Sequence, residues 1–142
     1  MSSVPPMNSS LPHRDFDGGG HEQAAGYARA VRRGASITVS GTTANDGRGG
    51  ALYPGDTEAQ TAAALRQALA AVERLGGHAV DVVRTRIFLA PGADWQAASA
   101  AHAEVFGAVS PANTMLFVHA LIGEAFLVEV EVDAVVEAAS PA

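Results

Sequence analysis

The chain has 142 residues, 48% of them hydrophobic and 17% charged, the balance of one compact domain. Fifteen acids against nine bases give a formal charge of -6, which leaves no basic surface for a phosphate backbone or an anionic membrane. Cysteine is absent and every base is Arg, so thiolate chemistry, disulfides and an internal lysine Schiff base are excluded together.

The first 23 residues are rich in Ser, Pro and Gly, lack a signal-like apolar core, and read as a flexible tail before a single domain over 24–142. No apolar run reaches the roughly eighteen residues of a membrane span, so the cytoplasm is the expected location. Tyr27 to Val31 and Ser36 to Ser40 read as short strands around an Arg32-Arg33-Gly34 turn. Gly41 to Gly55, with its glycines and Asn45-Asp46, reads as a long loop beside a site.

Asp56 is placed to cap a helix that runs to Leu75, where Gly76 and Gly77 supply the stop. Ala62, Leu65, Leu69 and Val72 form its core-facing stripe. Val82 to Leu89 is β-branched and ends at Pro91-Gly92, which predicts a strand. Asp94 is the expected cap of a second helix, with Trp95, Ala98, His102 and Val105 at helical spacing before Gly107. Thr114 to His119 and Leu127 to Val136, joined through Gly123-Glu124, complete a β-β-α-β-α-β-β order. That order predicts an α+β sheet with two helices packed on one face.

Strand alternation places Glu129, Glu131 and Asp133 on one face, and Val82, Arg84, Arg86 and Phe88 on one face of their own strand. Paired acids and guanidinium groups serve a polar site or simple cross-strand salt bridging, and periodicity alone favours the salt bridging. His102 lies on an apolar helix stripe, where a packed histidine is the simpler reading. No pair of histidines has metal-ligand spacing, so no metal is expected. Ser40 lacks a GxSxG setting, and the glycine clusters match neither a Walker loop nor GxGxxG.

Several segments, in order and spacing, resemble the Rid family, the reactive intermediate deaminases also called YjgF or RidA. They are Tyr27 with ITVSGT at Ile37 to Thr42, AQTAAALRQALAAVERLGG at Ala59 to Gly77, DVVRTRIFLA at Asp81 to Ala90, DWQAASAAHAEVF at Asp94 to Phe106, SPANTM at Ser110 to Met115, and LVEVEVDAVV at Leu127 to Val136. The resemblance implies a chorismate-mutase-like α+β fold, a homotrimer with clefts between subunits, and hydrolysis of enamines or imines to a ketone and ammonia. It implies a small-molecule substrate, no cofactor and no metal; endoribonuclease activity is attributed to some relatives, but the charge of -6 and the lack of basic patches argue against a nucleic-acid partner here.

Carried over by position, the resemblance makes Glu129 the acid that assists water attack and Tyr27, Ser40 and Gly41 part of the cleft. Typical deaminases clamp the substrate carboxylate with an Arg in a Pro-Ala-Arg-Ser/Thr segment, and here that place is taken by Asn113. Ser99, His102 and Arg86 also depart from the usual residues, and the stretch from Asn113 to Glu129 is one residue longer. Three readings stay open: Arg86 or His102 replaces the missing cation, the substrate is an imine without an α-carboxylate, or deaminase activity is lost. A biosynthetic tailoring enzyme for cyclisation, tautomerisation or dehydration, or a non-catalytic small-molecule-binding trimer, are the alternatives to a hydrolase.

Overall fold

The computed structural model describes residues 13–137, arranged as one six-stranded sheet with helices on one face. In chain order the elements are β1 (Arg14–Asp15), α1 (Gly20–Ala25), β2 (Ala30–Arg33), β3 (Ser36–Thr42), α2 (Thr57–Arg74), β4 (Val82–Leu89), α3 (Trp95–Phe106), β5 (Ala112–Phe117) and β6 (Val128–Val135), with a 3-10 turn at Ala79–Asp81. The fold is α+β, as the element order predicts. The sheet order is β1-β2-β3-β6-β4-β5, antiparallel except where β5 lies parallel to β4. Parallel neighbours need a crossover, and α3 supplies it.

β6 sits between β3 and β4, and its alternation is complete. Val128, Val130, Val132 and Ala134 are buried toward the helices, whereas Glu129, Glu131 and Asp133 face the other way. Helix α2 lies against this apolar row through Ala64, Leu65, Ala68 and Val72, and Asp56 caps it by accepting the Ala59 N–H. Gly76 closes it at φ 91°, a left-handed conformation that suits glycine. Helix α3, capped by Asp94, buries Ala98, Ala101 and Phe106.

Four expectations need correction. Residues 13–23 are not a free tail: positions 1–12 lie outside the described residues, but β1 pairs with β2, and Asp15 receives a bidentate bond from Arg74 of α2 at 2.8 and 2.9 Å. Tyr27 does not open a strand, because Gly26 turns left-handed and both residues' N–H groups close α1 on the Glu22 carbonyl. Val82 does not share a face with Arg84 and Arg86: β4 carries an extra residue between Val82 and Arg84 opposite Ala134 and Asp133, and this bulge turns Val82 into the core. Trp95 likewise leaves the buried stripe of α3 and is 53% exposed at the helix start.

Candidate functional site

A second bulge builds the site. Val39 pairs with Val132 but Thr42 pairs with Val130, so β3 carries one residue more than β6 across Ser40-Gly41. Bulges re-aim a chain locally. Here Gly41 comes to lie directly over the Glu129 side chain, and a Cβ at position 41 would stand 3.0 Å from Glu129 Cδ and 3.1 Å from Oε2. Glycine is the residue that lets strand and carboxylate approach this closely.

Glu129 and Gly41 open onto a cleft of about 900 Å³ whose walls include Tyr27, Arg29, Asn45 and Phe126. The N-terminal arm forms its far side. Glu22, buried at the foot of that arm, accepts the N–H groups of Asp17 and Gly18 and fixes the arm over the sheet end. Burial pushes the Glu129 carboxyl above the ordinary carboxylate range, the charge of Glu131 adds to the rise, and Arg29 partly opposes it. A half-buried carboxylate of raised basicity, facing open space, can hold a water molecule and take its proton.

Arg29 is a cleft residue that the sequence pattern does not single out. Its Nη2 donates to the Gly41 carbonyl at 2.6 Å, its Nη1 lies 3.9 Å from Asp17 Oδ2, and its buried Nε has no partner among the described residues. Arg29 thus ties the Gly41 bulge to the arm and places a positive charge beside Glu129. No local pattern marks it, because it lies before β2 and reaches Gly41 only once β2 and β3 have paired.

Ser40 donates its hydroxyl to the Ala28 carbonyl at 2.7 Å, so it braces the bulge and does not line the cleft. Arg86 is not the cleft's cation. It pairs across the sheet with Asp133 at 3.0 Å and Glu131 at 3.8 Å, the plain cross-strand salt bridging that periodicity favoured.

Asn113 and His102 gather elsewhere. Asn113 lines a second hollow of about 380 Å³ at the β5 edge, with Trp95, Ser99, Met115, Leu116 and Phe117. Behind it the fully buried Thr85 hydroxyl lies 2.9 Å from Asn113 Nδ2 and 2.7 Å from His102 Nε2. Burial pushes the His102 imidazole down, toward its neutral form. Within one chain, therefore, Glu129, Gly41 and Tyr27 share one cleft, and Asn113 belongs to another. Among the described residues no cluster of three or more His, Asp or Glu is placed to hold a metal ion.

A family model described as endoribonuclease L-PSP matches residues 20–136. An uncharacterized protein of Streptomyces coelicolor is 40% identical over 129 residues, covering 90% of this chain and 95% of that one. The crystal structure of Rv2704 from Mycobacterium tuberculosis, a member of the YjgF/YER057c/UK114 family, superposes with a TM-score of 0.77 at 40% identity, over 87% of this chain and 98% of that one. The yjgF gene product of Escherichia coli, 24% identical, shares the fold at a TM-score of 0.68 over 95% and 98% of the two chains.

Proposed function

This chain belongs to the endoribonuclease L-PSP family, the YjgF/YER057c/UK114 group, and we propose that it is a cofactor-independent imine or enamine hydrolase of altered specificity. The observation that carries the reading is the Glu129 carboxylate, half-buried against Gly41 and open to a cleft of substrate size. In the reaction, water adds to the C=N carbon while Glu129 takes its proton. Glu129 returns that proton to nitrogen, giving the tetrahedral carbinolamine, and then carries the carbinolamine hydroxyl proton to the same nitrogen, so that the C–N bond breaks, ammonia leaves and the carbonyl product forms. Neither half of this exchange needs an electron acceptor, and one carboxyl group alternates as base and acid.

The active assembly is a homotrimer in this reading. Trp95, Leu116 and Phe117 are 53%, 42% and 52% exposed around the Asn113 hollow, and a second copy of the chain would cover them. It would also join the Asn113 hollow of one subunit to the Glu129 cleft of the next, so that substrate touches both. RNA cleavage fits the site less well. An RNA backbone needs a track of cations, whereas Arg29 and Arg48 share this cleft with Asp17, Glu22 and Glu129.

The test is semicarbazide trapping of imines generated in situ, with wild type and Glu129→Gln compared. Wild type should remove imine before it is trapped, and Glu129→Gln should lose that effect. Imine loss at the same rate with and without protein, for carboxylated and uncharged imines alike, would overturn the hydrolase and leave a tailoring or binding role.

A further inference from the structure

We propose that Asn113 turns its side-chain carbonyl oxygen toward the substrate, so that the group seated there is an uncharged hydrogen-bond donor such as a carboxamide and not a carboxylate. The inference rests on the reading of the Asn113 hollow as half of the substrate site.

Three bonds fix the direction of the amide. Asn113 Nδ2 lies 2.9 Å from Thr85 Oγ1 and 3.4 Å from the Thr85 carbonyl oxygen. A backbone carbonyl can only accept, so the atom of Asn113 that faces it is the donor nitrogen. The Thr85 hydroxyl has one proton, and His102 Nε2 lies 2.7 Å away on its other side. With a neutral imidazole bearing its proton on Nδ1, the hydroxyl donates to Nε2 and its lone pair remains to accept from Asn113. Donors thus run inward in one sense, from Asn113 to Thr85 to His102.

The far end of that chain is the Asn113 oxygen. It has no partner among the described residues, while its residue is exposed and lines the hollow. With the nitrogen held by a fully buried threonine, planarity of the amide leaves the oxygen on the open side. An Arg at this position would offer several N–H donors and a charge. Asn113, latched in this way, offers an acceptor and no charge. A carboxylate placed against it would set oxygen lone pair against oxygen lone pair, whereas a carboxamide of the same shape would donate an N–H.

Pyruvate and pyruvamide are suitable probes, because they differ only in this group and are the stable ketone counterparts of a hydrolysed imine. Their Kd values for the full-length protein can be read from titrated amide spectra. Pyruvamide should bind wild type about tenfold more tightly, the factor expected when one hydrogen bond replaces one opposed pair. Asn113→Arg should invert the preference. Thr85→Val, close in shape but unable to hold the amide, should shrink it toward equality, and this variant's folding is checked by its thermal melt.

Pyruvate binding wild type as tightly as pyruvamide, or neither probe binding, overturns the proposal. So does a preference that survives Asn113→Arg. The hydrolase reading fails separately: imine trapping insensitive to Glu129→Gln would sink it while leaving the carboxamide preference standing. Glu129-dependent hydrolysis with pyruvate the tighter probe would sink only the role given to Asn113.

Discussion

Gly41→Ala separates the geometry of Glu129 from its chemistry. The added methyl carbon would meet Glu129 Cδ at 3.0 Å, Oε2 at 3.1 Å and Cγ at 3.4 Å, where carbon atoms settle at about 3.5 to 4.0 Å. The backbone of Gly41 is not in the left-handed region, so alanine meets no conformational penalty of its own. Something must still give. Glu129 has open cleft in front of it, so the carboxyl swings outward by roughly 0.5 to 1 Å instead of straining the sheet.

Stability should hardly register this. Overpacking that relieves itself into solvent costs about 1 kcal/mol, and the loss of glycine freedom in the unfolded chain returns about 0.4 to 1 kcal/mol. Catalysis should register it strongly, because a misplacement of about 1 Å can cost on the order of a hundredfold. We expect kcat/KM for imine hydrolysis to fall between about tenfold and a hundredfold while Tm stays within about 4 °C. The double variant Gly41→Ala/Glu129→Gln should be scarcely slower than Glu129→Gln alone, since both changes act through one carboxyl. Undiminished activity in Gly41→Ala, or losses that add fully in the double variant, would refute the reasoning.

The pH profile gives a second handle on the same carboxyl. Glu129 works as a base when ionised, so kcat/KM should rise with pH along a limb set above the ordinary carboxylate range. Removing a repelling charge with Glu131→Gln should move that limb to lower pH, and removing an attracting one with Arg29→Gln should move it higher. Limbs that coincide in all three proteins would place the titrating group elsewhere. Gln60, wholly buried in α2, donates to the Tyr53 and Ala125 carbonyls and accepts from Leu127 N–H, which fastens the loop before β6. Gln60→Leu should therefore cost about 2 kcal/mol in urea unfolding, and a change below about 0.5 kcal/mol would mean that water replaces those bonds. Asp15→Asn breaks the bidentate pair with Arg74, whose half-exposure limits the global loss to no more than about 1 kcal/mol. Limited proteolysis should nevertheless show faster cutting within residues 13–25, and unchanged cutting would mean that β1 is held by its strand pairing alone.

Caps and alternation made much of this fold legible in the sequence. Asp56 and Asp94 mark their helices to the residue because a side-chain oxygen beside orphan N–H groups is a local arrangement. The β6 pattern was legible because a helix covers only one side of the sheet. What stayed hidden depends on contacts distant in sequence. The bulges at Val83 and Ser40-Gly41 are differences in length between paired strands, so they exist only once β6 has found β3 and β4. Residues 13–23 read as tail by composition, yet Asp15 is held by an arginine 59 positions away. Glu129 and Asn113 could be named by position in a resemblance. Their separation into two hollows of one chain, and the buried threonine behind Asn113, could not.

The charge around the two hollows argues for one kind of substrate. Arg29 is the cation nearest Glu129, yet it already serves the Gly41 carbonyl and stands near Asp17. Asp17, Glu22 and Glu129 share the cleft with Arg29 and Arg48, so positive charge is not in surplus there. Of the two β4 arginines on this face of the sheet, Arg86 is held by Glu131 and Asp133 and Arg84 donates to the Thr114 hydroxyl. An incoming carboxylate would meet Arg29 and Arg86 already beside carboxylates, and at Asn113 it would meet a latched carbonyl oxygen. Each feature alone is a small bias of about 1 kcal/mol, the size of one hydrogen bond or one exposed ion pair. Acting on the same ligand they reinforce one another, and they favour a neutral imine with a hydrogen-bond donor beside the reacting carbon.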